Sequence, residues 1–156
     1  MAGKWKVAYD PKKTIPELQY RVAVLARGTR QKRPVIKSAD DLNQLMQGNS
    51  SLDREAFYVA MLRKNGELIG IYVAHIGGTS TTLVEPAVVL RVALICQADR
   101  VIAMHNHPSG FEDPSPEDIT LTQKLQAALD AFDIKLSDHL VLAKGDYFSF
   151  EQARLL

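Results

Sequence analysis

The residues with the most chemistry in this chain lie together in Met104-His105-Asn106-His107-Pro108-Ser109-Gly110-Phe111-Glu112-Asp113-Pro114-Ser115-Pro116-Glu117-Asp118. Side chains alternate along an extended segment, so His105 and His107 can aim two imidazoles at one point while Asn106 faces away. Pro108-Ser109-Gly110 turns the chain, and the loop that follows can return Asp118 to the same point. Neutral imidazole nitrogen and carboxylate oxygen are zinc donors at about 2.0–2.2 Å, and three protein donors leave a fourth position for water, the arrangement of a catalytic rather than a structural zinc. Zinc held in this way lowers the pKa of water to about 7 and polarises a carbonyl. Ser115 adds a hydroxyl donor for a reacting oxygen.

The same residues also read as a plain helix start. Serine is a favoured cap, proline suits the first helical position, and acids suit the first turn, which accounts for Ser115, Pro116, Glu117 and Asp118. The two readings are compatible, because a helix start holds its residues rigidly. His-x-His alone is a weak pattern. Ser109 has no base left to activate it once both histidines bind metal, and Glu112 and Asp113 read as solvent-facing acids. His75 reads as a satisfied strand histidine. His139, after Asp138, reads first as structural, with a hydrogen bond that orients the metal loop as the alternative. Asn106 caps the loop or contacts substrate. Trp5 stands alone as an anchor or partner contact.

The surrounding elements must position this loop. Leu18 to Ala26 is rich in β-formers and predicts a strand, followed by a basic turn over Gly28 to Pro34. Ser38 caps a helix running to about Gln47, with Asp41 at its third position. Arg54 to Leu62 predicts a strand entering the core, and Leu68 to Ile76 its hairpin partner. Asn65-Gly66 between them suits a type I′ turn. After a loop over Gly77 to Thr82, Pro86 opens a helix running to about Ala98. Arg100 to Met104 is a short strand that delivers the histidines. Ser115-Pro116 opens a helix with Ile119, Leu125, Leu129 and Phe132 on its buried stripe. Leu136 to Ala143 and Asp146 to Phe150 close the chain as strands. This order implies an α/β sandwich, a mixed β-sheet flanked by helices.

Composition bounds the setting. The 156 residues, 46% apolar, are enough for one domain with an appendage. No apolar run approaches the roughly 20 residues of a membrane helix, and the N-terminus has no apolar segment after its charges, so neither a membrane span nor a signal peptide is expected. The single cysteine, Cys96, excludes an internal disulfide and reads as a buried small hydrophobe. A cytoplasmic location follows as the default. The net charge of +1 hides an asymmetry: residues 1–37 carry ten Lys/Arg and two acids, and residues 38–156 carry nine and sixteen. A basic N-terminal arm over 1–37, with its one candidate strand, on an acidic body suits contact with nucleic acid or another acidic surface, or is a solvated leader.

The spacing of His105, His107, Ser115 and Asp118 resembles, position for position, the signature of JAMM zinc metalloproteases of the MPN/JAB1 superfamily. His-Asn-His-Pro-Ser-Gly followed by Pro-Ser-x-x-Asp is similar to the RadC family within it. Glu55-Ala56-Phe57 resembles the family's Glu-x-Phe strand and Gly77-Gly78-Thr79 its Gly-Thr loop. Glu85-Pro86 resembles the start of its Pro-led helix. Asp138-His139 and Tyr147-Phe148-Ser149-Phe150 resemble its closing strands. The resemblance covers residues 38–156 and implies a cytidine-deaminase-like α/β fold and a zinc hydrolase cutting peptide or isopeptide bonds. It implies His105, His107 and Asp118 as zinc ligands and Ser115 as a group that helps hold the tetrahedral intermediate. It implies Glu55 as general acid/base. Spacing alone leaves Glu67 and Glu85 open for that role. They sit beside a hairpin turn and a helix start, whereas Glu55 lies on a strand expected to be partly buried. Full-length members commonly carry an N-terminal helix-hairpin-helix region associated with DNA binding. Nothing in residues 1–37 resembles it. A DNA-associated protein, acting as repair accessory or nuclease through the basic arm, is the alternative expectation. Substrate identity and oligomeric state are not written in these motifs.

Overall fold

The run Ala56-Phe57-Tyr58-Val59-Ala60-Met61-Leu62 is buried at every position, with no alternation between wet and dry sides. Such a strand must be covered on both faces. In the computed structural model, which describes residues 22–24, 33–46, 54–77, 84–107 and 109–156, it lies inside a six-stranded sheet with helices on either side. The elements in chain order are β1 (Val22–Val24), α1 (Ala39–Met46), β2 (Ala56–Leu62), β3 (Leu68–Ile76), α2 (Pro86–Ile95), β4 (Arg100–Asn106), α3 (Pro116–Asp130), β5 (Lys135–Leu142) and β6 (Tyr147–Ser149). The order across the sheet is β1-β3-β2-β4-β5-β6. Among the described strands only β4 and β5 pair in parallel, and α3 supplies their crossover. The fold is thus the α/β sandwich with a mixed sheet expected from the sequence.

Each face of β2 feeds a different core. Phe57, Val59 and Met61 pack with Val89, Val92 and Ala93 of α2 and with Leu125 and Leu129 of α3. Ala56, Tyr58, Ala60 and Leu62 pack with Leu42 and Met46 of α1. Each large aliphatic side chain buried in this way contributes roughly 1.5–3 kcal/mol. Ser38 begins α1 as expected: its hydroxyl accepts from the Asp41 amide at 3.3 Å, and Asp41 accepts from the Ser38 amide at 3.0 Å.

Several elements differ from expectation for identifiable reasons. Gly66 N–H bonds Arg63 O at 2.9 Å, and positive φ falls on Gly66 (87°) but not on Asn65. The hairpin is therefore a type I turn over Lys64-Asn65 with Gly66 as a left-handed bulge, not a type I′ turn. A Cβ on Gly66 would lie 2.6 Å from the Ile36 carbonyl, because residues 34–36 cross against the hairpin here. Helix α2 stops at Ile95 rather than near Ala98. Gln97 turns left-handed (φ 51°), Gln97 N–H bonds Leu94 O, and Ala98 N–H bonds Ala93 O. This is a Schellman ending made with glutamine in place of glycine. β4 runs two residues beyond Met104 and carries His105 and Asn106 within the sheet. The buried stripe of α3 is Asp118, Thr122, Leu125 and Leu129. Ile119 is half-buried and Phe132 is 53% exposed, so the expected stripe starts one position late and runs past the helix, which ends at Asp130.

The expected strand over Leu18 to Ala26 is described only at Val22–Val24, which pairs antiparallel with β3. The remainder of that segment, the basic turn before Arg33, Trp5 and the loop after Gly77 lie outside the described residues.

Candidate metal centre

The ladder between β2 and β4 places Phe57 opposite His105 at one end of the sheet and Leu62 opposite Arg100 at the other. His105 ends up fully buried, and His107, one residue beyond the strand, is half-buried. Helix α3 begins beside them. Its first turn is a reciprocal capping box: Ser115 Oγ accepts from the Asp118 amide at 3.2 Å, and Asp118 Oδ2 accepts from the Ser115 amide at 2.7 Å. The Ser115 hydroxyl also donates to Asp118 Oδ2 at 2.7 Å. The helix-start reading of Ser115 thus holds in the structure, and the cap is what orients Asp118.

With Oδ2 so held, Asp118 Oδ1 lies 3.2 Å from His105 Nε2, and Oδ2 lies 3.4 Å from His107 Nε2. The two Nε2 atoms are 3.0 Å apart. His107 Nδ1 meets the Phe111 carbonyl at 3.1 Å. A carbonyl only accepts, so Nδ1 carries a proton and Nε2 is the nitrogen turned to the cluster. The three residues form a group able to hold a metal ion, as the His-x-His spacing predicted. Donors held tetrahedrally at about 2.0–2.1 Å from zinc are about 3.3–3.4 Å from one another. The observed separations of 3.0, 3.2 and 3.4 Å come near that length, with His105 facing Asp118 Oδ1 and His107 facing Oδ2, and two imidazoles and a carboxylate are a donor set that suits the ion.

Electrostatics agree with the geometry. Burial alone would raise the Asp118 carboxyl, but its contacts with the two imidazoles and with the Ser115 hydroxyl outweigh it and hold the group far below the usual carboxylate range. His107 is raised, chiefly by its hydrogen bond with Asp118 and against the opposing effect of burial. The charge of Glu55 contributes to the same rise.

Glu55 precedes β2 and is half-buried. Its backbone is fixed from both sides: Gly77 N–H bonds Glu55 O at 2.8 Å, and the Asn106 carboxamide spans its neighbours. Asn106 Nδ2 donates to Arg54 O at 3.0 Å, and Ala56 N–H donates to Asn106 Oδ1 at 3.0 Å. Asn106 is fully buried and faces away from the imidazoles, so it staples the start of β2 rather than contacting substrate. Glu67 is at the hairpin, toward the far end of the sheet, and bonds Arg33 at 3.3 Å. Glu85 is exposed at the start of α2, on the rim of a groove of about 350 Å³ that also involves Pro86, Pro116 and Leu121. Of the three glutamates, Glu55 is the one whose charge reaches His107.

The surroundings of the ligands were less visible in the sequence. His105 stacks on Phe57 at 5.9 Å with planes 7° apart, and His139 stacks on Phe150 at 4.9 Å. His139 Nε2 lies 2.9 Å from His105 Nδ1, and His139 Nδ1 lies 2.7 Å from Thr122 Oγ1. Complete burial pushes the His139 pKa well below the ordinary imidazole value. His139 thus meets the imidazole of His105, the contact that the alternative reading requires, while its burial between aromatic rings suits the structural one. Its signal was Asp138-His139 on a late strand; Thr122 carried only its helical offset from Asp118. Asp138 itself is buried and accepts from the His139 and Glu151 amides and the Ser149 hydroxyl. It ties the C-terminal turn to β5. His75 differs from expectation: its Nε2 is buried with no hydrogen-bond partner among the described residues. Cys96 is half-buried rather than buried as expected, at the edge of the core, and burial pushes its thiol up, away from thiolate.

Comparison with known proteins agrees with this architecture. The family model for the RadC-like JAB domain matches residues 36–155. A UPF0758 protein of Pasteurella multocida is 39% identical over 104 residues, covering 67% of this chain and 46% of its own length. A UPF0758 protein of Rubrobacter xylanophilus is 37% identical over 125 residues, covering 80% of this chain and 55% of its own length. One from Alkaliphilus metalliredigens is 33% identical over 141 residues, covering 90% and 60%. The chain spans about half the length of the curated relatives it matches. With the His-x-His strand end, the capped aspartate and a family match over most of its length, the chain belongs to the RadC family, the RadC-like JAB domains.

Proposed function

We propose that this protein is a zinc-dependent metallohydrolase, a JAMM-type peptidase or isopeptidase acting in the cytoplasm. The observation that carries the reading is the convergence of His105 Nε2, His107 Nε2 and the Asp118 carboxylate, donors of the types zinc takes. Zinc held by these three groups supplies a Lewis acid for the scissile carbonyl and an activated water at neutral pH. Glu55 takes the proton of the attacking water on its carboxylate and returns it to the leaving amine nitrogen as the C–N bond breaks. Ser115 keeps Asp118 in place through the cap, and its hydroxyl is the group assigned to help hold the tetrahedral intermediate. A peptide or isopeptide-linked protein is the substrate class.

Two variants test this. Purified wild-type protein should carry about one zinc per chain, and His107→Ala should lose it. Glu55→Gln should keep zinc and lose cleavage, read as cleavage products that accumulate in a proteome exposed to wild type but not to the variant. Zinc retained by His107→Ala would falsify the ligand assignment, and full activity in Glu55→Gln would move the base elsewhere. A second reading is supported by the charge of residues 1–37: nucleic-acid contact through that arm, with the hydrolase domain as its cargo.

A further inference from the structure

Behind the three ligand candidates the molecule buries two polar side chains with no part in hydrolysis. Thr122 and His139 are 1% and 0% exposed. Thr122 Oγ1 lies 2.6 Å from the Asp118 carbonyl oxygen and 2.7 Å from His139 Nδ1. A hydroxyl has one proton, and a carbonyl has none to offer. The 2.6 Å contact therefore takes the threonine proton. The hydroxyl oxygen is left to accept, so His139 Nδ1 carries a hydrogen. His139 is enclosed by the rings of Phe57 and Phe150 and is neutral there, with a single N–H. Its Nε2 then presents a lone pair to His105 Nδ1 at 2.9 Å, and the proton in that contact belongs to His105. A neutral His105 protonated at Nδ1 has its lone pair on Nε2, the atom that faces His107 and Asp118.

We propose that Thr122 and His139 are positioning residues that fix His105 in its Nδ1–H tautomer and so set the affinity of the site for a divalent metal. The direction of every proton is inherited from the Asp118 carbonyl, which belongs to the first turn of α3. One helix start thus orients two ligands: Asp118 through the Ser115 cap and His105 through Thr122 and His139. The assignment rests on the metal-centre reading given above, but the tautomer it predicts exists in the metal-free protein and is measurable there.

The test uses the full chain and zinc alone as probe. In the metal-free wild type at mildly alkaline pH, two-bond 1H–15N spectra of histidine-labelled protein should show His105 with a protonated Nδ1 and an unprotonated Nε2. Thr122→Val removes the hydroxyl at nearly constant shape and should weaken zinc binding about 10–100-fold in chelator competition. Thr122→Ser keeps the hydroxyl and should bind within a few-fold of wild type, a rescue that a packing role would not produce. A His105 protonated at Nε2 in the wild type overturns the proposal. So does unchanged affinity in Thr122→Val, or equal loss in both variants. Should Thr122→Val fail to fold, the wild-type spectrum and Thr122→Ser still decide. Failure of the wild type to bind zinc would instead strike at the metal reading, and the spectrum alone would then judge the tautomer.

Discussion

At the scale of single residues, the centre is a set of lone pairs gathered with nothing but a cation to reconcile them. The inner nitrogens of His105 and His107 and the Asp118 carboxylate lie 3.0–3.4 Å apart. In the metal-free protein a proton does that work, which is why His107 is raised and Asp118 lowered. Zinc must displace the proton from His107. The sign follows: because the His107 pKa is raised above that of a free imidazole, protons begin to compete at a higher pH than they would for an unperturbed histidine. Asp118 is lowered, so it stays ionised throughout and adds no competition of its own. Apparent zinc affinity, followed by chelator competition from mildly alkaline to mildly acidic pH, should fall as pH drops through the raised His107 value. A flat profile across that range would contradict the assignment of His107 as a ligand. His105, His107 and Asp118 were legible in the sequence, because alternation along a strand and a capped helix start are local rules. Thr122 was not, and His139 and Asn106 were legible only as open alternatives, because their partners lie far along the chain: Asn106 bonds the backbone of Arg54 and Ala56, and no local pattern announces that.

At the scale of elements, most of the order of strands and helices followed from periodicity, and the errors came from termini and turns. Asn-Gly suggested a type I′ hairpin, yet the chain of residues 34–36 crosses against it and selects a type I turn with Gly66 in the bulge. Tertiary contact decided a local choice. Gly66→Ala should therefore cost more than a routine surface change. It meets both a left-handed backbone and a carbonyl 2.6 Å from the new Cβ, together about 1–3 kcal/mol. Denaturant unfolding of the two proteins measures this. A variant as stable as the wild type would mean that residues 34–36 do not press on the turn. Since the hairpin sits at the far end of the sheet from the metal centre, zinc stoichiometry should be unchanged. The misplaced stripe of α3 has a similar lesson. Apolar residues alone pointed to Ile119 and Phe132, but the buried face begins with Asp118 and Thr122, polar residues turned inward because the site needs them.

At the scale of the whole molecule, one sheet carries two cores and a site at one end. The element order implied the sandwich; the strand order β1-β3-β2-β4-β5-β6 did not follow from it, since pairing between distant strands is a matter of topology. Among the described residues no helix is long and apolar enough to cross a membrane. The charge division, +8 over residues 1–37 against −7 over the remainder, is a property of the chain as a whole. If the arm contacts nucleic acid, removing residues 1–21 should weaken DNA binding at low salt and flatten its salt dependence, measured by fluorescence anisotropy. No binding by the intact chain at low salt would dismiss the second reading and leave the hydrolase untouched. The central claim is the metal centre, and a crystal structure of the full chain grown with zinc, with anomalous data at the zinc edge, tests it most directly. The account predicts one peak bonded to His105 Nε2, His107 Nε2 and Asp118 at about 2.0–2.2 Å. A well-ordered loop with no peak among those three groups, or with zinc bound only elsewhere, would contradict it.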